Sequence, residues 1–260
     1  MTVGLTYLEF LAIFLLTPVT VLAFSLWYRK DVWKSKEAFG GLAFIILLAV
    51  TYTTPWDNYL IEIGVWWYGE GATLAHFWKA PLGEYLFFIL QPILTGLLLF
   101  NFPNIYDMNL DIPYRDRVLG VLGGLTVTLV GTALLFNQST LYLGAILAWA
   151  GPILAIQWGF GSSYLWKIKE YLALMIAVPT LYLWVADRIA IGIGTWVISE
   201  TYTTGLKIIG LPVEEALFFL VTNIFIVQGL VLYMWVLDRI TLKEFVSKAK
   251  EIILEDHLWK

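Results

Sequence analysis

Leu211 to Tyr233 reads LPVEEALFFLVTNIFIVQGLVLY. A proline opens the stretch, Glu214 and Glu215 follow within one turn, and Phe218, Phe219 and Asn223 fall on the turns beneath. Apolar residues then complete a length fit to span a bilayer. Carboxylates inside a membrane segment are costly and call for a partner or a task. An earlier stretch, Pro81 to Ile93, reads PLGEYLFFILQPI and repeats the pattern. At an offset of 131 residues Pro, Glu, Leu, Phe, Phe and Ile recur, six identities in thirteen positions. The chain is therefore expected to be duplicated, with the duplication centred on its acids.

Outward from these two stretches the composition agrees with a membrane location. The 260 residues are 60% hydrophobic and 17% aromatic, with a mean hydropathy of +0.77, too apolar for an ordinary soluble globule. Thirteen Trp and fourteen Tyr exceed what interfacial belts need, so some of them are expected to line something besides lipid headgroups. The absence of cysteine excludes disulfides, thiolate nucleophiles and iron-sulfur ligation. With only His76 and His257 present, no histidine-based metal site is expected, and no cofactor or nucleic-acid partner either.

Apolar runs of spanning length occur at about 5 to 27, 39 to 55, 82 to 100, 117 to 136, 139 to 160, 168 to 186 and 212 to 237. The first has no basic leader and no small-residue cleavage site, so it reads as a retained span. The segments after spans 1, 3, 5 and 7 carry 4, 2, 2 and 5 Lys and Arg, against Lys79, Arg188 and Lys207 on the other side. This bias predicts a multi-pass protein of the cell membrane with its N-terminus outside and its C-terminus cytoplasmic.

The same offset carries spans 1, 2 and 3 onto spans 5, 6 and 7 and leaves span 4 as a connector. The expected fold class is all-α: a polytopic membrane protein of seven transmembrane helices in a parallel 3+1+3 internal repeat. Its divisions are a first three-helix repeat over 1–101, a connector with span 4 over 102–138, a second repeat over 139–237, and a tail over 238–260. Within the tail, Thr241 to Glu255 has an amphipathic pattern suited to lying on the cytoplasmic surface.

Span 2 ends in TYTTPWDNYL and span 6 in LYLWVADRIA, so Asp57 and Asp187 are expected at helix ends on the outer side. Glu84, Glu214 and Glu215 return from that side, bringing five carboxylates together. Glu84, Phe87, Phe88, Gln91 and Thr95 share one face of span 3, and Glu215, Phe218, Phe219, Thr222 and Asn223 one face of span 7. Two such stripes facing each other describe an elongated pocket with acids at its mouth. A carboxyl group desolvated among aromatic rings keeps its proton and serves as a general acid. Aromatic faces then stabilise a carbocation without trapping it. The chemistry this favours is acid-initiated cyclisation or isomerisation of a polyene, with the two glutamate stripes and the aspartates in catalytic roles. Plainer readings exist: Pro followed by Glu is ordinary helix-start chemistry, Asp187 could pair with Arg188, and Trp66, Trp67 and Tyr68 read as an interfacial anchor.

TTPWDNYLIEIGVWWY, PLGEYLFF and above all LPVEEALFFLVTNIFIVQGL resemble the membrane-integral lycopene cyclases. These are two short three-helix polypeptides in actinobacteria, one fused chain in archaea, and the cyclase half of a bifunctional phytoene synthase in fungi. The resemblance covers roughly residues 1 to 237. It implies conversion of the ψ-ends of lycopene to β-rings, through γ-carotene to β-carotene, with no net redox change. It implies catalytic roles for Glu214, Glu215, Glu84 and Asp57 and no dinucleotide cofactor. Asp187, Trp56, Phe87, Phe88, Gln91, Phe218, Phe219 and Asn223 complete the expected site from the residue pattern. Gly83 stands where the second half has Glu214, which favours a single site between the halves. The implied partners are lycopene or a related long polyene, the lipid bilayer, and other carotenoid enzymes.

Relatives that act on C50 or other carotenoids leave that substrate class open. A membrane prenyltransferase would use Asp107, Asp111 and Asp116 with magnesium, but the second half offers no matching acidic cluster. A retinal-binding protein would need a lysine inside span 7, and Leu211 to Asp238 contains none.

Overall fold

The computed structural model describes residues 4–29, 36–103 and 111–239. The amphipathic segment expected over 241–255, Asp107 and His257 lie outside them.

Among the described residues, seven helices are long and apolar enough to cross a membrane, as the hydropathy predicts. They are α1 (Tyr7–Tyr28), α2 (Lys36–Glu62), α3 (Leu82–Phe100), α4 (Tyr114–Leu134), α5 (Leu141–Lys167), α6 (Lys169–Ile193) and α7 (Val213–Arg239). α2 and α6 run past the expected ends at 55 and 186. Hydropathy falls at the first polar residues, whereas backbone bonding continues until Gly64 and Gly194, which take left-handed φ of +78° and +77°. Asp57 and Asp187 consequently sit inside helices and not at their ends.

Local chemistry accounts for the start and the irregularity of α1. The Thr6 backbone N–H donates to Glu9 Oε2 at 2.8 Å, half of a capping box that opens the helix. Pro18 has no N–H for the Phe14 carbonyl; the preceding turn loosens into a π-turn over Ala12–Leu16, and the Tyr182 hydroxyl of α6 donates to Phe14 O at 2.8 Å.

α3 and α7 form the centre of the bundle and touch each other. α2 and α6 each pack on both of them, α1 packs on α3, and α5 on α7. α4 lies along α5 through glycines: a Cβ on Gly151 would come 2.8 Å from the Gly124 carbonyl oxygen, and one on Gly144 2.8 Å from that of Gly131. Small residues of this kind let helix backbones meet inside lipid, where no hydrophobic force drives them together.

The purely helical expectation is corrected at one end of the bundle. There the loops form β1 (Trp66–Tyr68), β2 (His76–Phe77), β3 (Ala80–Pro81), β4 (Trp196–Ile198), β5 (Lys207–Ile208) and β6 (Leu211–Pro212). β2 pairs with β3 and β5 with β6 as small hairpins. β1 pairs antiparallel with β4, setting Trp66 opposite Ile198, Trp67 opposite Val197 and Tyr68 opposite Trp196. Strands of two or three residues are too short to leave a periodic signal. Alternation along β1 turns Trp66 inward and leaves Trp67 49% exposed, so the three residues do not share one face.

Two apolar clusters flank this hairpin end, one around Tyr7, Phe10 and Leu183 and the other around Leu60, Tyr142 and Trp149. A third, around Phe100, Tyr164 and Trp235, fills the opposite end.

Candidate active site

Between the two flanking clusters a narrow cavity of about 60 Å³ collects Asp57, Glu84, Asp187 and Glu215. Asp57 and Asp187 come from within α2 and α6, more than a turn before their ends, and Glu84 and Glu215 from the first turns of α3 and α7. Four of the five expected carboxylates therefore meet, close enough for their charges to interact. Among the described residues no basic side chain lines the cavity. Asp57, Asp187 and Glu215 are 2%, 1% and 7% exposed, and Glu84 is partly buried.

Three of the acids are held by aromatic donors. The Tyr68 hydroxyl donates to Glu84 Oε1 at 2.5 Å and itself accepts from Trp66 Nε1 at 3.1 Å. Tyr7 lines the same cavity, near enough to Glu84 to feel its charge. Tyr142 donates to Glu215 Oε1 at 2.8 Å, and Trp196 Nε1 to Asp187 Oδ1 at 2.8 Å, in place of the pairing with Arg188. Asp57 Oδ2 and Asp187 Oδ2 have no hydrogen-bond partner. Tyr68 lies in the loop outside the spans; desolvation, then the charge of Glu84, push its phenol well above the ordinary tyrosine value, so it remains a donor.

Aromatic rings supply most of the remaining wall. Trp56 stacks on Trp149 at 5.0 Å and on Phe218 at 6.0 Å between centroids. Phe87 meets Phe219 edge to face at 6.0 Å, and Phe10 meets Trp196 in the same way at 4.8 Å. Trp56, Phe87, Phe218 and Phe219 thus reach the cavity as the sequence pattern predicts.

Other expected residues lie elsewhere. Glu214 is fully buried but does not line the cavity; its Oε1 accepts from the Thr204 backbone N–H at 2.7 Å and the Thr204 hydroxyl at 2.8 Å, tying down the loop before β5. The equivalent position, Gly83, has no room for a side chain, because an added Cβ would fall on the ring of Tyr7. Asn223 joins three helices: its Oδ1 accepts from Gln91 Nε2 at 3.0 Å and from the Thr95 hydroxyl at 2.6 Å, and its Nδ2 donates to Thr180 Oγ1 at 3.0 Å. Phe88 and Gln91 face a second, larger space of about 260 Å³ that shares Phe87 and Phe218 with the acid cavity and continues between α2, α3, α5 and α7. On the other side of the bundle, Asp116 accepts from the Ser163 hydroxyl at 2.5 Å.

Tyr7, Tyr142, Trp196 and Phe10 were not legible as site residues. A faint signal existed for three of them. Trp66 and Trp196 stand 130 residues apart, and a tyrosine occupies the first turn of α1 and of α5. Chemically, the arrangement brings several proton-carrying groups to a water-poor, ring-lined space with no competing cation. Such a space suits proton transfer to and from an apolar molecule and the shielding of a carbocation between the two steps.

Comparison with known proteins agrees. The lycopene cyclase family model matches residues 6–102 and 139–234. The chain is 47% identical over 234 residues to a lycopene beta-cyclase of Halobacterium salinarum, covering 90% of this chain and 98% of that protein. It is 37% identical over 204 residues to the bifunctional lycopene cyclase/phytoene synthase of Aspergillus niger, covering 73% of this chain and 34% of that protein. The corresponding enzyme of Arthroderma gypseum is 34% identical over 209 residues. No solved structure matches. A family model that leaves out residues 103–138, the stretch holding α4, and matches both flanking segments that supply the acids settles the assignment: the chain belongs to the lycopene cyclase family.

Proposed function

We propose that this chain is a lycopene β-cyclase, converting the acyclic ψ-ends of lycopene to β-rings by way of γ-carotene. The observation that carries the reading is that Asp57, Glu84, Asp187 and Glu215 share one aromatic-lined cavity that no basic residue among those described enters. Holding several carboxylate charges in so small a space is costly, so protons are kept among the group.

Glu215 gives its proton to the terminal double bond of the polyene. The tertiary cation that results is attacked by the double bond five carbons along, which closes a six-membered ring and moves the positive charge onto a ring carbon. Loss of a neighbouring proton to Glu84 or Asp57 leaves the ring double bond. One proton enters and one leaves, so the reaction is an isomerisation without net redox change. Trp56, Phe87, Phe218 and Phe219 offer ring faces to the cation at both stages. Tyr142 and Tyr68 hold Glu215 and Glu84 in position, since each hydroxyl is itself fixed by its helix or strand.

The reading includes a parallel 3+1+3 repeat with the divisions 1–101, 102–138, 139–237 and 238–260. Supporting it, the β1–β4 register is symmetric about Trp67 and Val197, 130 residues apart. The Tyr7 backbone N–H bonds Ala72 O and that of Tyr142 bonds Tyr202 O, again with acceptors 130 apart. The Lys and Arg bias sets the hairpin end outside the cell membrane and the C-terminus in the cytoplasm. Other enzymes of carotenoid synthesis are the partners this location favours.

The test is chromatography of pigments from a lycopene-accumulating bacterial host expressing the chain alone. β-Carotene is the expected product. Unchanged lycopene with the protein present in the membrane overturns the reading. Glu215→Gln retaining full activity would remove Glu215 as donor.

A further inference from the structure

The acid cavity is too small for more than the end of a long chain, yet it does not stop at its own walls. Phe87 and Phe218 line both it and the 260 Å³ space beneath, which runs along α7 from Phe218 to Tyr233, about 22 Å at ~1.5 Å per residue. Its lining is almost wholly apolar. On its bilayer side Phe44 is 54% and Leu48 47% exposed, so an apolar chain can slip in sideways from lipid. Across that side Tyr52 of α2 donates to the Trp149 carbonyl of α5 at 2.9 Å, bridging the two helices just below the aromatic wall.

The groove is one-sided. On the opposite flank of the cavity the comparable volume is filled by Phe10, Leu15 and Leu183, which are 3%, 0% and 1% exposed. The groove that shares Phe87 and Phe218 with the acids therefore gives an apolar chain a continuous path to them. At its far end the groove is lined by Gly41 and Gly229 beside the side chains of Ile45 and Tyr233. A Cβ on Gly229 would lie 3.0 Å from Ile45 Cδ1, and one on Gly41 2.6 Å from Tyr233 Cδ1. Both glycines already lie against these side chains, so bulk added at either one would intrude on the groove.

We propose that this groove binds the unreacting length of the polyene, and that its glycine-walled far end receives the opposite terminus: an open chain in the first cyclisation, a finished ring in the second. The inference rests on the cyclase reading and adds a geometric consequence to it. The monocyclic product must leave, turn end for end and return before the second ring can form. Width at Gly229 and Gly41 then decides whether the enzyme makes one ring or two, independently of the acids.

The experiment is pigment analysis in the same lycopene-accumulating host, with the protein quantified in the membrane. Gly229→Leu is expected to go on consuming lycopene while the ratio of γ-carotene to β-carotene rises about tenfold, because the branched side chain obstructs a ring more than a chain end. Gly229→Ala should give a smaller rise and covers the case in which the leucine variant fails to accumulate. Ala49→Trp, midway along the groove, should block both rounds and leave lycopene. A wild-type ratio in both Gly229 variants at normal membrane levels would overturn the proposal and leave the groove as a crevice for bilayer acyl chains. That outcome differs from failure of the cyclase reading, which would show as unchanged lycopene with the unaltered chain.

Discussion

The Tyr142 hydroxyl, in the first turn of α5, donates a 2.8 Å hydrogen bond to Oε1 of Glu215, in the first turn of α7. Both residues are buried, at 3% and 7% exposure, so water does not replace the bond when it is removed. Tyr142→Phe is expected to lower cyclisation roughly tenfold to a hundredfold, in line with ~1.5–3 kcal/mol for a buried bond to an ionisable group. Membrane abundance should be unaffected. Conversion rates in isolated membranes, normalised to protein, provide the check; a rate within twofold of the unaltered chain would remove Tyr142 from the positioning of Glu215.

Adjacent glutamates in α7 should behave differently. Glu215 lines the cavity, whereas Glu214 holds Thr204 through a single oxygen that glutamine also possesses. Glu215→Gln is expected to lose at least about a hundredfold in rate, the size of a missing general acid. Glu214→Gln should retain most activity, and Glu214→Ala should instead lower thermal stability as the loop loses its anchor. Parallel rate and melting measurements on the three variants separate the roles. Equal losses in Glu214→Gln and Glu215→Gln would mean that the pair acts as a unit.

Gly83 is kept small by Tyr7, whose ring occupies the space a side chain would need. Gly83→Ala should displace Tyr7 from Glu84 and destabilise the protein by ~1–3 kcal/mol through overpacking. Restoring the glutamate pair with Gly83→Glu should be worse still. Combining Gly83→Ala with Tyr7→Leu is expected to recover part of the stability but not the activity, a pattern that detergent-solubilised melting curves and product assays read together.

Asn223 is expected to be a matter of packing and not of chemistry. Its amide bonds Gln91, Thr95 and Thr180 and joins α3, α6 and α7 deep in the bundle. Asn223→Ala should cost ~1–2 kcal/mol, the range for interhelical hydrogen bonds in membranes. The ratio of γ- to β-carotene should stay as in the unaltered chain. A changed ratio at normal stability would return Asn223 to the substrate.

Several of these residues could be read directly from the chain, and others could not, for definite reasons. Glu84, Glu215, Phe87 and Phe218 stood out because a charged group beside a repeated diphenylalanine is anomalous in an apolar span. Asp57 and Asp187 were found but set at helix ends, since hydropathy falls before the helix does. Tyr7, Tyr142 and Trp196 escaped because tyrosine and tryptophan near the start of a span, or in a loop, are what any membrane interface contains. Only the hydrogen bonds to Glu215 and Asp187 and, for Tyr7, its place on the cavity wall distinguish them.

By itself the sequence determined the seven apolar spans and displayed the recurring Pro, Glu and diphenylalanine pattern that carries the acids, because bilayer thickness and the cost of buried charge act on each segment separately and leave a mark in one dimension. Tertiary structure alone decided which acids meet. Glu214 and Glu215 are neighbours in the chain, yet the ~100° turn between successive helical residues sends one to a loop and the other to the cavity. Pairing of β1 with β4 and packing of α5 against α7 decided that the hydrogen-bond partners of Glu84 and Glu215 would be tyrosines, and packing of α1 against α3 that one flank would be filled while the other opened as a groove. Tyr142 and Glu215 stand 73 residues apart, a separation that no local pattern records.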